Sequence, residues 1–341
     1  MSATKQQQIE AAVQAFFPDG DYRIVEMEGG VNNTTRYVDR GADRYVLRIY
    51  ENHRCADKVM YEHDVLRQLL KRQLSIRIPN PVRTSGGLTY AQLEDGKLAS
   101  LYEYIAGERC RFDNEPRIRS AGAAAGALVT ALRDIEPTLP SAYEPYYELY
   151  EVHPLVTEQA LTVFASQPPE WAPKEAVNSF NEELRYFQLQ LQKLMRLPVQ
   201  NTHSDLVASN MVAAGDKVTG VLDFEFVTPD VRAMDAAVVL GELVRCRELS
   251  PLQAIEAFLS GYGENAELTD DEIETLPALI QLRSTVVVIH FLGRHWEGID
   301  EKEEVVKHLN QFADIRSWLQ ENGNAVKEIA ARTVRQGERN P

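Results

Sequence analysis

The chain has 341 residues, 44% of them hydrophobic and 26% charged, with a formal net charge of −15. That much apolar sequence fills a sizeable core, in two units or in one two-lobed one. A surface this acidic repels nucleic acid and anionic membranes, so neither is expected as a partner, and the chain reads as a cytoplasmic enzyme or binding protein for a small molecule.

Residues 4–17 carry Ile9, Ala12, Val13, Phe16 and Phe17 at the spacing of one helix face. They lack the apolar stretch of a signal peptide. Three segments then alternate as short strands do, "YRIVEME", "TTRYVDR" and "RYVLRIYE", joined by "GGVNN" and "RGAD". Residues 54–72 switch to helical spacing, with Val59, Glu62, Val65, Leu66, Leu69 and Leu70 on one side. "IRIPNPV" ends that helix and leads into two more strands, "TYAQLED" and "KLASLYEYI". About five antiparallel strands with one inserted helix are therefore predicted for residues 1–102, and a linker for 103–108.

From about residue 115 the pattern is helical, so 109–341 is expected to form a larger helical lobe. "RIRSAGAAAGALVTALRDI" is rich in small residues, which suits close helix packing. Residues 169–196 and 234–334 continue in the same texture, and "GYGENA" at 261–266 reads as a helix stop. No run reaches the roughly 20 uninterrupted apolar residues of a membrane helix. Cys55, Cys110 and Cys246 lie far apart and read as reduced thiols with no metal or redox signature.

One stretch breaks the helical texture: "NTHSDLVASNMVAAGDKVTGVLDFEF", residues 201–226. His203, Asp205 and Asn210 are spaced H-x-D-x-x-x-x-N, and the apolar runs that follow predict a hairpin returning Asp223 to Asn210. Two hard oxygen ligands would then face one point, as Mg²⁺ requires when phosphate oxygens and water complete its shell. Asp205, on the same loop, is placed to orient or deprotonate an attacking hydroxyl. Glu225 stays open between a metal or substrate contact and a solvated turn residue, and His203 reads as a loop-holding histidine.

This stretch resembles the catalytic and metal loops of the aminoglycoside phosphotransferase and choline kinase superfamily, and "GVLDFEF…D" looks most like its homoserine kinase type II branch. The resemblance covers about residues 24–300. It implies an α+β, bilobal, protein-kinase-like fold with ATP and Mg²⁺ as cofactors. It also implies Asp205 as catalytic base and Asn210 and Asp223 as metal ligands. "EGGVNNTTRYV" resembles the nucleotide-positioning loop, with Gly29, Gly30 and Asn33 at its turn. Arg48 stands where the phosphate-holding strand lysine is usual, and Glu62 would be its ion-pair partner. "LYEYIAG" resembles the inter-lobe linker, whose backbone near Glu103 and Ile105 would take the adenine edge. Asp235 matches an acid that braces the catalytic loop. Two positions depart from the pattern: Ser204 replaces a common glycine, and Arg48 replaces lysine while keeping the charge.

The expected reaction is phosphoryl transfer to the hydroxyl of a small molecule, homoserine being the best match. Aminoglycosides, choline and sugar alcohols are the alternatives, and a silent nucleotide-binding regulator is the reading from another class. "YEPYYELYEVH" at 143–153, with His290 and Trp296, is open between an acceptor pocket and ordinary packing aromatics.

Overall fold

The structure, a computed structural model, describes residues 5–27, 33–51 and 53–337. Helix α1 (Lys5–Phe16) buries Ile9, Ala12, Val13 and Phe16 against an antiparallel sheet. The sheet contains β1 (Arg23–Glu26), β2 (Asn33–Arg40), β3 (Asp43–Tyr50), β4 (Ala91–Gln92) and β5 (Leu98–Glu103), in the order β1-β2-β3-β5-β4. Gly41, at a φ of 58°, makes the turn between β2 and β3. Strand alternation turns Leu47 and Ile49 into the sheet's own core with Val38, Ala99 and Leu101, and leaves Arg48 on the opposite face.

Helix α2 (Ala56–Leu69) is inserted between β3 and β4. Its Val65, Leu66 and Leu69 belong to the core of the helical part, whereas Glu62 faces Arg48. Val59 of the same helix packs with Tyr50 and Leu98 of the sheet in a small separate cluster. The connection beyond β5 is not a bare linker. Residues Glu108–Arg109 form β6, paired with β8 (Met211–Ala214). Gly107 makes this approach possible, since a Cβ there would lie 2.3 Å from the Val212 side chain.

The helical part comprises α3 (Glu115–Leu132), α4 (Glu158–Ser166), α5 (Lys174–Leu194), α6 (Met234–Leu243), α7 (Pro251–Tyr262), α8 (Asp270–Trp296) and α9 (Lys302–Val334). The small-residue run in α3 does pack closely. A Cβ on Gly122 would lie 2.0 Å from the Phe258 carbonyl of α7, and one on Gly261 1.9 Å from the Arg119 carbonyl of α3. Strand β9 (Lys217–Val221) closes the expected hairpin with β8, and β7 (Val199–Thr202) pairs antiparallel with β10 (Thr228–Val231). Among the described residues α8 alone has the length and mean hydropathy to cross a bilayer, and 61% of its most apolar window is buried inside the fold. The molecule is a sheet lobe joined to a helical part, the protein-kinase-like plan.

Candidate active site

Strand β7 ends by delivering His203, Ser204 and Asp205 into a braced turn. Asp235, fully buried in the first turn of α6, accepts from the backbone N–H groups of His203 and Ser204, each at 2.9 Å. Burial pushes the Asp235 carboxyl up, and these donors oppose that push. Ser204 sits at a φ of 67°, the left-handed region where glycine is at ease, which gives the Gly-to-Ser departure its physical meaning. The turn is held regardless: the Tyr146 hydroxyl donates to the Ser204 carbonyl, and the Ser204 and Thr202 hydroxyls meet at 2.8 Å. His203 donates from Nε2 to the Leu222 carbonyl at 2.8 Å and packs edge-on against Phe224 at 4.6 Å between centroids. It ties the two loops together.

Asp205 has both oxygens engaged from the chain. Arg283 Nη2 donates to Oδ1 at 2.5 Å, and the Asn210 amide donates to Oδ2 at 3.0 Å. With its nitrogen so used, Asn210 keeps its side-chain oxygen as a ligand atom. The hairpin brings the second loop back to it, because the Leu222 N–H donates to the Asn210 carbonyl at 2.7 Å. Asp223 follows directly, also left-handed at a φ of 65°. Its Oδ1 is buried without a hydrogen-bond partner. It lies 3.0 Å from Arg48 Nη1, which is itself buried and unpartnered, so the two are close but misaligned.

Arg48 is the hub of the other side. Its Nη1 lies 3.8 Å from Glu62 and 4.0 Å from Glu225 as well, so one guanidinium faces three carboxylates. Burial pulls the Arg48 pKa down, but Asp223 and Glu62 outweigh it and hold the group well above its ordinary value. Glu62 is pushed up to about 7 by burial, against the pull of Arg48. Tyr50 and Tyr102 donate to the two Glu62 oxygens at 3.0 Å each, and His63 reaches the Tyr102 hydroxyl at 2.9 Å. An excess of negative charge around an orphaned carboxylate oxygen fits a divalent cation held by Asn210 and Asp223.

Glu225 is 4% exposed, so the solvated-turn alternative is wrong. Its carboxylate accepts from the Asn33 amide at 2.8 Å and lies 3.7 Å from His53 Nε2. Burial lowers the His53 pKa to about 4, so the ring is neutral near pH 7 and does not offset the acids. Asn33 is not in the glycine turn but opens β2, opposite Tyr50, and its side chain bridges the two lobes. Gly29 and Gly30 lie outside the described residues. In the connection, the Glu103 N–H donates to Asn80 and the Tyr104 N–H to Arg44, while the Ile105 N–H finds no acceptor among the described residues. The buried Ile105 side chain packs over Gly220, where a Cβ would come within 2.9 Å.

Three participants escaped the sequence pattern. Arg283 is the partner of Asp205, and the tyrosines Tyr50 and Tyr102 clasp Glu62. A lone arginine in the apolar run "LIQLRSTVVVIHF" was the available signal, since a charge is seldom buried without a partner. Of the aromatic set, Tyr146 braces the catalytic loop, Tyr143 packs on Phe226 at 5.2 Å, and Trp296 packs on Phe164 at 6.3 Å.

Comparison with known proteins matches this architecture. The model of a family described as "Phosphotransferase enzyme family" matches residues 23–276. A homoserine kinase of Methylobacillus glycogenes is 24% identical over 266 residues, 76% of this chain and 77% of its own. Among solved structures, an amicoumacin kinase in complex with AMP-PNP and Ca²⁺ superposes with a TM-score of 0.68 at 17% identity, covering 92% of this chain and 94% of its own. A microcompartment-associated aminopropanol kinase gives 0.66 at 15% identity, covering 95% and 99%.

Proposed function

The chain belongs to the phosphotransferase enzyme family, and from that footing we propose that it transfers the γ-phosphate of ATP to the hydroxyl of a small amino alcohol, homoserine. The observation that carries this reading is the meeting of Asp205, Asn210 and Asp223 at one hairpin, beside a buried guanidinium in excess negative charge. Residues 1–102 would serve as the nucleotide lobe, 103–108 as the linker and 109–341 as the catalytic and acceptor lobe. The homoserine kinase relatives support the acceptor choice, since several match about three quarters of the chain.

In this reading Asp205 orients the acceptor hydroxyl and takes its proton as the bond to the γ-phosphorus forms and the bond to the β–γ bridging oxygen breaks, with ADP as the leaving group. Arg48 binds phosphate oxygens with its planar fork, held in place by Glu62 and the two tyrosines. Asn210 and Asp223 would hold Mg²⁺, which would supply charge neutralisation on the phosphates. Backbone groups at Glu103 and Ile105 take the adenine edge. Glu225 keeps the two lobes in register through Asn33.

The test is product formation from ATP with homoserine, 3-aminopropan-1-ol, choline and kanamycin, each with and without Mg²⁺. Mg²⁺-dependent phosphorylation with homoserine preferred is expected. Nucleotide binding without transfer to any acceptor would sink the reading and favour a silent regulator.

A further inference from the structure

Helix α8 enters the site with one basic residue, Arg283, at the catalytic aspartate. Arg283 Nη2 donates to Asp205 Oδ1 at 2.5 Å, and Nη1 donates to the Tyr146 hydroxyl at 2.5 Å. Tyr146 is itself fixed, its hydroxyl by the Ser204 carbonyl and its N–H by Asp230 at 2.7 Å. The guanidinium is therefore rigidly aimed. A guanidinium has five N–H donors, and these two bonds use only part of that edge. Its side chain is 21% exposed and stands beside Asp205, which is 24% exposed.

An acceptor hydroxyl must come within hydrogen-bond reach of Asp205 to react. Any acceptor so placed lies against Arg283 too. A planar guanidinium with donors to spare matches a carboxylate in paired hydrogen bonds. A counter-charge stands nearby on α6, which packs against α8. Glu242 accepts the Ala208 N–H at 2.9 Å with one oxygen, and nothing among the described residues donates to the other. Among charged groups Arg245 acts on it most strongly, and Asp205 and Arg283 also lie within electrostatic reach.

We infer that Arg283 is an acceptor-specificity residue: it takes the carboxylate of a zwitterionic hydroxy amino acid while Glu242 takes the ammonium group. The inference rests on the phosphotransferase reading above and narrows its acceptor to molecules carrying both charges. It also joins recognition to chemistry. An acceptor carboxylate draws on the same guanidinium that holds Asp205, so recognition of the acceptor and orientation of the aspartate share one group. Acceptors without a carboxylate leave Asp205 fully paired with Arg283.

The experiment measures kcat and KM for L-homoserine, 3-aminopropan-1-ol and 4-hydroxybutanoate in the wild type, Arg283→Lys and Glu242→Gln. Wild type should prefer homoserine over aminopropanol by about a hundredfold or more in kcat/KM, with kcat itself lower for aminopropanol. Arg283→Lys should shrink that preference about tenfold or more. Glu242→Gln should lower kcat/KM for homoserine while leaving 4-hydroxybutanoate nearly unchanged. Equal kcat/KM for homoserine and aminopropanol in the wild type overturns the inference alone. So does an Arg283→Lys loss of the same factor for every acceptor, which would leave Arg283 only positioning Asp205. No turnover with any of the three overturns the functional reading and this inference together.

Discussion

Two half-buried arginines flank the paired loops, and they do opposite things. Arg48, on the nucleotide side, is one cation among three carboxylates, and its closest partner is misaligned. Arg283, on the acceptor side, meets one carboxylate in a short, aligned hydrogen bond, with a tyrosine fixing its other nitrogen. The first arrangement is anionic and incomplete, as suits a site that takes a cation with its phosphates. The second pairs one cation with one anion, as suits a base held in waiting. The difference teaches where each ligand's charge would be accommodated: cationic charge at Asp223, anionic charge at Arg283.

The contrast breaks most visibly in stability. Arg48→Met strands the three carboxylates and should cost about 3–5 kcal/mol, the scale for removing one partner of a buried ion pair. Arg283→Met strands only Asp205, which is partly exposed and keeps its Asn210 bond, so about 1–3 kcal/mol is expected. Urea denaturation of both variants checks the order, and equal losses would dissolve the distinction. Next, Asp223→Ala should abolish the Mg²⁺-dependent part of the thermal shift given by nucleotide, a stabilisation of about 2.7 kcal/mol at a hundredfold excess over Kd. Arg283→Met should leave that part intact.

Protonation gives a further effect, which Glu62 carries on the nucleotide side. Glu62 has a folded pKa of about 7, raised above the ordinary 4.5 by burial. Native protein thus binds this proton more tightly than the unfolded chain does. Its contribution to stability is full below the unfolded pKa and is lost as pH rises through the folded one. Thermal melts from about pH 4.5 to 7.5 should therefore show a shallower decline in Glu62→Gln than in the wild type. Parallel curves would show that Glu62 is ionised throughout. Asp230, raised by burial to about 7, adds a decline of the same sign in both proteins. The smallest expected effect is at Ser204, whose left-handed backbone strains any side chain. Ser204→Gly relieves that strain but gives up the buried bond to the Thr202 hydroxyl, so stability should change by no more than about 0.5 kcal/mol, measurable as a Tm shift of a degree or so.

The two sides also differed in how far they could be read from sequence. The nucleotide side is assembled by local rules. Strand alternation separates Arg48 from Leu47 and Ile49, helical spacing points Glu62 back at the sheet, and a short hairpin returns Asp223 to Asn210. Each rule acts over a few to a few dozen residues. The Asp205–Arg283 contact spans 78 residues and depends on how α8 crosses the catalytic loop, which no local period encodes. Glu225 and Asn33 illustrate the same limit. Glu225 sits two residues beyond a recognisable aspartate, yet its hydrogen-bond partner is Asn33, 192 residues earlier in the chain. The small residues of α3 were legible as a packing surface, but their partner in α7 was not.

The central claim is that Asp205 serves the acceptor hydroxyl while the nucleotide is held elsewhere. Its most direct test is the Asp205→Asn variant, with kcat for phosphorylation of homoserine measured beside Kd for Mg²⁺-nucleotide. Asparagine keeps the shape but neither accepts a proton nor pairs with Arg283 as an anion. The account predicts a kcat lower by about 10²–10⁴ with Kd changed by no more than a few-fold. A variant that turns over homoserine at the wild-type rate would contradict it.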